Sequence, residues 1–591
     1  MKYLFSSLLL LAAANIHAQT ALTSGQKLTE TLKGTDKNSY TVAMQNGGYF
    51  SCTVMQLGTD LAIDLISPTG KAVKTFDSPN GDRGKELVMF DATEKGNYKL
   101  VVYALEASET VGAKRRPEER PARYQVGDVT VLTSAEYTEK KNKDKQVLQA
   151  GIDWMQKNAH PIKTTEPGKG FKDLEWIKPV LEKVKYVGIG EATHGTHEFF
   201  QFKHRMLEFL VKEMGYNTFA LEASYAGCQN INEYVLNGKG DARKALASQG
   251  FWTWDTQEML DLIEWMRTYN STVKEEDKKL HFFGFDIQNN SIGGGVDRVK
   301  NYFNKVSPGF VQQHDTFFKW FPIAEKKQMR DSNAQKIRKN FSLVKRAMMT
   351  NRDSFILRSS RDEYETVLDY VGVISQYMGA YVSRNEEPTP QQLELRDRYM
   401  AENVRHYAQQ NPEAKILIWG HNNHINKNAQ AEVNGADRPM GSQLKSAFGN
   451  SYYAMGFLFG KGNFTAMDNG DTTGNMKLKQ FTALDAKEGT IEWAMKKAAK
   501  GNYIVSFPTK DNGHTKEVKD AKDNKNDKKE AKEALPADVQ TFTETEYNAR
   551  MYGSMAAEDL VDDGYIVPLI IDKDFDALIF IENTTGAKAL K

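Results

Sequence analysis

Apolar and polar residues alternate in short runs from about Leu22 to Leu132. "SYTVAMQNGGYFSCTVMQ" alternates on both sides of a Gly-Gly pair, and "TDLAIDLISPTGKAV" does so around Pro-Thr-Gly. "GNYKLVVYAL" and "ARYQVGDVTVL" continue the pattern on either side of the charged loop "GAKRRPEERPAR". Short period-two strands at this spacing predict an antiparallel β-sandwich over residues 19–135. The run "YTEKKNKDKQ" then predicts a charged, solvated linker at 136–150.

From residue 151 the period changes. The strand-like runs "KYVGIG", "YNTFALEA", "KLHFFGFDI" and "AKILIWG" are separated by helical stretches such as "HEFFQFKHRMLEFLVKEMG". In that stretch Phe199, Phe202, Met206, Phe209, Leu210 and Val211 fall near helical spacing, and Gly215 marks its end. Repeated strand-then-helix predicts an α/β domain with a mostly parallel sheet over 151–591. Residues 310–410 are charged and amphipathic with few strand signals, which predicts a helical insertion. The mixed-charge run at 510–535 predicts a mobile surface loop.

Composition narrows the picture. A formal charge of +1, 40% hydrophobic and 26% charged residues describe a globular protein and lack the basic excess of a nucleic-acid binder. The start, MKYLFSSLLLLAAANIHAQT, has a basic Lys2, a short apolar run and a small Ala18. That pattern predicts a signal peptide at 1–18 and a secreted or periplasmic protein with no stable membrane insertion. No cysteine follows the run, which argues against a lipid anchor. Only Cys52 and Cys228 exist, so a disulfide framework is excluded and two buried free thiols are expected.

The chemistry gathers at the strand ends. "KYVGIGEATH" delivers Glu191 and His194, "YNTFALEAS" delivers Glu222, "KLHFFGFDI" delivers Asp286, and "AKILIWGHNNH" delivers His421 and His424. Carboxyl ends of parallel strands are where such sheets bind ligands. The chain has no G-x-S-x-G elbow, no H-E-x-x-H helix and no phosphate-binding glycine loop. Histidine and carboxylate remain, and a carboxylate-oriented imidazole can take a proton from water near neutral pH. Glu191 or Glu222 is placed to orient His194, and His421, Lys203 or backbone N–H groups to meet an oxyanion. Two H-x-x-H pairs, His194 with His197 and His421 with His424, leave a metal-dependent hydrolase as an alternative. A ligand-binding protein without catalysis is a second alternative, and Asp286 reads equally as a turn cap.

"GEATHGTHEFFQFKHRMLEFLVKEMGYNTFALEASYAG", followed in order by "FFGFDIQ", "DRYMAENV", "ILIWGHNNHI" and "PMGSQL", resembles the erythromycin esterase family over roughly residues 151–591. The resemblance implies hydrolysis of the macrolactone ester of 14-membered macrolides without a covalent acyl-enzyme and without a required cofactor. It implies catalytic roles for Glu191, His194, Glu222 and His421. A basic residue one helical turn on is Arg in the resistance enzymes; here it is Lys203, which keeps the charge and loses the two-pronged fork. Lys203, Asp286 and His424 are therefore expected to bind a small-molecule ester substrate. The N-terminal strands, "GTDLAIDLISPTGKAV" and "EKGNYKLVVYAL", resemble the pre-peptidase-type accessory sandwich of secreted bacterial enzymes. N-terminal sequencing of the exported protein is expected to start near Gln19; a start at Met1 would remove the signal peptide.

Overall fold

The structure is a computed structural model. It describes residues 20–590 apart from 34–35, 79–82, 106–121, 292, 327–333, 382–389, 431, 434–435, 471–476, 509–534, 559–560 and 562–563. The expected signal peptide at 1–18 and nearly all of the expected loop at 510–535 lie outside the described residues. Close contacts divide the chain into two units, Met1–Lys145 and Gln146–Lys591.

The first unit is a sandwich of two sheets. Strands Leu28–Leu32, Ala122–Leu132, Tyr49–Leu57 and Arg83–Asp91 form one, antiparallel throughout. Strands Thr20–Ala21, Lys37–Met44, Gly96–Ala104, Leu61–Ile66 and Ala72–Phe76 form the other, antiparallel except for its first pair. Phe50, Cys52 and Val54 from the first sheet and Val42, Ile63, Leu65, Leu100 and Val102 from the second close a single core. The Gly-Gly pair turns the chain from one sheet into the other, with Gly47 at φ 77°, so its flanking strands do not pair. Cys52 in this core and Cys228 in the second unit are both buried and free.

The charged run expected as a solvated linker at 136–150 is largely exposed up to Gln146, and the unit boundary falls within it, but it is helical, part of Ser134–Asn158. Thr133 and Glu136 explain the start. The Glu136 carboxylate accepts from the Thr133 N–H at 2.8 Å, and the Thr133 hydroxyl accepts from the Glu136 N–H at 3.3 Å, a capping box. Val147, Ile152 and Met155 in its second half are buried in the core of the second unit.

The second unit is built on a mixed ten-stranded sheet. Six neighbouring strands, ending at the β3 edge, are parallel: β1 (Tyr186–Ile189), β2 (Thr218–Ser224), β3 (His281–Asp286), β4 (Ile416–Trp419), β5 (Tyr452–Asp468) and β6 (Ala577–Thr584), in the spatial order β6-β5-β1-β4-β2-β3. Antiparallel strands, Tyr503–Ser506 among them, extend the β6 edge. Side chains alternate between two cores. Val187, Ile189, Leu417, Trp419 and Phe457 join the helix His197–Met214 on one face; Ile416, Ile418, Ala454 and Leu458 meet Met400 and Val404 on the other. Burial on both faces is why these strands read as unbroken apolar runs.

Between β3 and β4 the chain makes the expected helical insertion, from Gly295–Val306 through Arg361–Tyr381, closed around its own core of Phe303, Phe317, Phe321, Val344 and Ile374. Its last helix, Pro390–Gln410, returns to the sheet. β4 then fills the place that the chain skipped between β1 and β2, which sets the carboxyl ends of β1, β4, β2 and β3 side by side.

One buried ion pair pins the loop after β4. The Lys427 ammonium meets Asp576 at 2.8 Å, and the other Asp576 oxygen accepts the Ala454 amide, also at 2.8 Å. Substituting Lys427→Met leaves the Asp576 charge buried and is expected to cost about 3–5 kcal/mol. Urea unfolding followed by tryptophan fluorescence reads this cleanly, because all 8 tryptophans lie in the second unit.

Candidate active site

Two glycines shape the turn after β1. A Cβ on Gly190 would lie 2.0 Å from the Asn422 side-chain oxygen, and one on Gly195 would lie 2.0 Å from the Thr465 carbonyl. The turn is therefore clamped between the β4 turn and β5. The Asn422 amide hydrogen-bonds the Glu191 carbonyl at 2.9 Å, joining the ends of β1 and β4.

The Glu191 carboxylate is fully buried and accepts three hydrogen bonds. His194 Nδ1–H donates to Oε1 at 2.7 Å, while Lys203 Nζ and Trp419 Nε1 donate to Oε2 at 2.6 and 2.8 Å. The Lys203 ammonium also lies 4.1 Å from the Trp419 ring centre, a cation–π contact. Burial pushes the Glu191 carboxyl up, but the Lys203 charge and the His194 imidazole outweigh it and hold the group below the usual carboxylate range. Burial likewise pulls Lys203 down, and Glu191 limits the drop to about 8.

A second network lies under β2, β3 and β4. Arg396 donates to Glu222 Oε1 at 2.9 Å and to Asp286 Oδ2 at 2.7 Å. The His424 ring bridges Asp397 at 2.9 Å and Glu222 at 3.2 Å. Burial alone would lower the His424 pKa, yet Asp397 and Glu222 raise it to about 10, so the ring is an imidazolium donating from both nitrogens. Arg396 Nη1, 3.1 Å from His424 Nε2, is then a second cation beside it, tolerated because three carboxylates surround the pair. Burial pushes Glu222 up as well, but His424 and Arg396 hold it far below the usual range.

His421 joins the two networks. Its backbone N–H donates to Glu222 Oε2 at 2.8 Å, and its ring centre lies 4.9 Å from that of His194. Its Nε2–H donates to the Tyr552 carbonyl at 2.8 Å, and Nδ1 accepts the Asn423 amide at 3.3 Å. Burial and the neighbouring histidines push the ring down to about 3, so it is neutral.

Exposure separates the groups that a substrate can reach from those that support them. The side chains of His194 and Arg396 keep 13% and 15% exposure, whereas those of Glu191 and Lys203 keep 0%, Asp286 1%, Glu222 5% and His424 7%. The structure thus gathers Glu191, His194, Glu222, His421, Lys203, Asp286 and His424 in one place. It puts Lys203, Asp286 and His424 below the site rather than on its wall, where substrate contact was expected of them. His421, expected at the carbonyl or the leaving oxygen, has both ring nitrogens engaged. The H-x-x-H pairs do not converge: His197 turns away to Glu258, and His424 to Asp397. Sequence reasoning missed Arg396 and Asp397. They precede and open the "DRYMAENV" run, and an Arg-Asp pair entering an apolar helical face was the available signal. Trp254 donates to the Glu222 carbonyl at 2.8 Å and meets His194 edge-on at 5.8 Å, so it packs against the site from below.

The erythromycin esterase family profile matches residues 211–584, more than half of the chain, and the protein belongs to that family. It is 26% identical over 377 residues to an erythromycin esterase type II from Escherichia coli, covering 60% of this chain and 88% of that one. It is also 26% identical over 399 residues to the putative hydrolase YbfO of Bacillus subtilis, covering 62% and 82%. Among solved structures, a Bacillus cereus protein superposes with a TM-score of 0.61 at 21% identity over 76% of this chain and 99% of its own. A variant of the erythromycin esterase EreC in its open conformation gives a TM-score of 0.52 at 17% identity, covering 72% and 97%. The family makes the protein a hydrolase of the esterase type, and the structural likeness supports the fold.

The sign of the His424 shift gives a test. Its folded pKa, about 10, exceeds the ordinary 6.5, so its stabilisation is complete below about pH 6.5 and is lost as pH rises through about 10. Between pH 6.5 and 8 the intact protein is expected to lose stability faster than His424→Gln, by at most about 1.4 kcal/mol per pH unit. Urea midpoints measured across that window check it; parallel curves would show that the ring is neutral.

Proposed function

We propose that the protein is a carboxylic ester hydrolase in which His194 activates water for direct attack on the ester carbonyl. The observation that carries this reading is the pairing of one partly exposed imidazole with one wholly buried, ionised carboxylate. Glu191 holds the Nδ1–H tautomer and turns Nε2 into the free base. As Nε2 takes the proton of the attacking water, Glu191 stabilises the imidazolium that forms. Lys203 and Trp419 keep Glu191 charged without reaching the substrate.

Arg396, the other partly exposed group, meets the negative charge that develops on the carbonyl oxygen. Glu222 and Asp286 fix its guanidinium. Collapse of the tetrahedral intermediate expels the alkoxide, which takes the proton from His194 and restores the starting state. His421 acts as a neutral wall that positions His194 and the β4 turn. No acyl-enzyme forms. The family and the name of the type II relative support a macrolide lactone as the substrate, and the leader-like start supports action outside the cytoplasm.

Incubating the mature protein with erythromycin and following the product by mass spectrometry tests the reading: a gain of one water mass is expected with the intact enzyme. His194→Ala is expected to lower kcat by about 10²–10⁴-fold, and Arg396→Ala by about 10²–10³-fold, with His194→Ala still unfolding in one cooperative tryptophan-monitored transition, less stable by about 1–3 kcal/mol because Glu191 loses one of its three donors. Full activity in His194→Ala would end this mechanism. Hydrolysis of simple esters but not of the macrolide would move the substrate and leave the mechanism standing.

A further inference from the structure

A carbonyl oxygen that gains negative charge has lone pairs for two hydrogen bonds, and donors fixed in advance at that oxygen lower the barrier. Arg396 can supply one of them. Its Nε is spent on Asp286 at 3.3 Å, and its Nη2 on Asp286 at 2.7 Å and Glu222 at 2.9 Å. Nη1 has only the His424 ring beside it, itself a donating cation, so the Nη1 hydrogens have no acceptor among the described residues.

A second unspent donor lies close by. Tyr381 ends the helix Arg361–Tyr381, and its side chain is only partly buried. Its hydroxyl oxygen accepts the Gln288 side-chain amide at 2.6 Å, and the Gln288 backbone N–H donates to Asp286 Oδ1 at 3.2 Å. The carboxylate that grips Arg396 therefore also fixes the residue that holds the phenol. The Tyr381 ring lies 5.0 Å from that of Tyr377 and packs against Ile287, Val373 and Ala380, as does Leu395. Ile287 follows Asp286 in the chain, and Leu395 precedes Arg396, so the ring is seated between the two ends of that ion pair.

With the Gln288 amide on its oxygen, the hydroxyl hydrogen has no acceptor among the described residues. Among the charges that act on the Arg396 guanidinium, only Asp286 and Glu222 outweigh the Tyr381 oxygen, which sets the hydroxyl on the guanidinium's side. Burial raises the Tyr381 pKa, and Asp286 and Asp397 work with it against Arg396. The phenol is therefore a neutral donor throughout the range in which an imidazole is a base.

We propose that Tyr381 is a further catalytic residue, whose hydroxyl donates to the ester carbonyl oxygen beside Arg396 Nη1. The role rests on the hydrolase mechanism proposed for His194. Water adds to the carbonyl carbon as His194 takes its proton, and the C=O π pair moves onto the oxygen. That oxygen accepts from Tyr381 Oη–H and Arg396 Nη1–H. The phenol keeps its proton, so nothing has to return it. On collapse the pair re-forms the C=O bond, the ester C–O bond breaks, and the alkoxide takes the proton from His194. The sheet thus supplies the base, and the insertion with its returning helix supplies both donors.

Tyr381→Phe, compared with the intact enzyme on erythromycin and on p-nitrophenyl acetate, tests the assignment. The substitution removes one oxygen and keeps the ring against Tyr377. On each ester that the intact enzyme turns over, kcat and kcat/KM are expected to fall together by about 10²–10³-fold, with KM little changed. p-Nitrophenyl methylphosphonate, a tetrahedral anion, is expected to inhibit the variant more weakly by about tenfold or more. Retained kcat in Tyr381→Phe beside an inactive His194→Ala would overturn the role and leave the hydrolase mechanism standing. A raised KM at unchanged kcat, or unchanged inhibition by the phosphonate, would overturn it equally. Hydrolysis of neither ester by the intact enzyme would remove the mechanism and this role together.

Discussion

Glu191 is an ionised carboxylate buried away from bulk solvent. Taking such a group out of solvent costs several kcal/mol unless hydrogen bonds and an opposite charge replace the water. Here Lys203, Trp419 and His194 supply all of that replacement. The ammonium is itself buried, and the face of the Trp419 ring takes up part of its own cost. Because each partner satisfies the others, the cluster has one geometry. His194 inherits that geometry at the rim.

The second network works by the same logic on a larger scale. Glu222 is its hinge: its side chain holds Arg396, His424 and the His421 backbone, while its carbonyl takes the Trp254 indole. Strands β2 and β4 are therefore tied to each other by the Glu222 carboxylate as well as by the ladder between them. The sheet carries the site, and the site's ion pairs in turn fix the strand ends. Only the His194 and Arg396 side chains project from these buried frames toward solvent.

Much of this was legible in the sequence. Apolar runs ending in Glu191, Glu222, Asp286 and His421 placed ionisable groups at strand ends, and parallel strands bring such ends together. Depth was not legible. Lys203 sits in a helix buried on nearly every side, so its amphipathic spacing gave no sign that its ammonium points beneath Glu191. Arg396 was hidden for a different reason. The helical pattern of 310–410 shows that helices form, but not which turn of the last one returns to the sheet. The helix through the charged run at 136–150 was hidden because composition carries no sign of the local Thr133–Glu136 cap, which is enough to start it.

The insertion has a consequence for how the enzyme is made. Arg396 is separated from Asp286 by 110 residues and from Glu222 by 174, yet it neutralises both. As the chain leaves the ribosome, β1, β2 and β3 emerge before β4; Glu191 already has His194 and Lys203, but the Arg396 that pairs with Glu222 and Asp286 has not been synthesised. The carboxylates of Glu222 and Asp286 must stay hydrated until the helix Pro390–Gln410 appears, and His421 lacks its Tyr552 anchor until later still. The candidate site thus closes only after the helix Pro390–Gln410 and the segment around Tyr552 have been made. A chain that stops before the helix Pro390–Gln410 leaves Glu222 and Asp286 without the guanidinium that neutralises them.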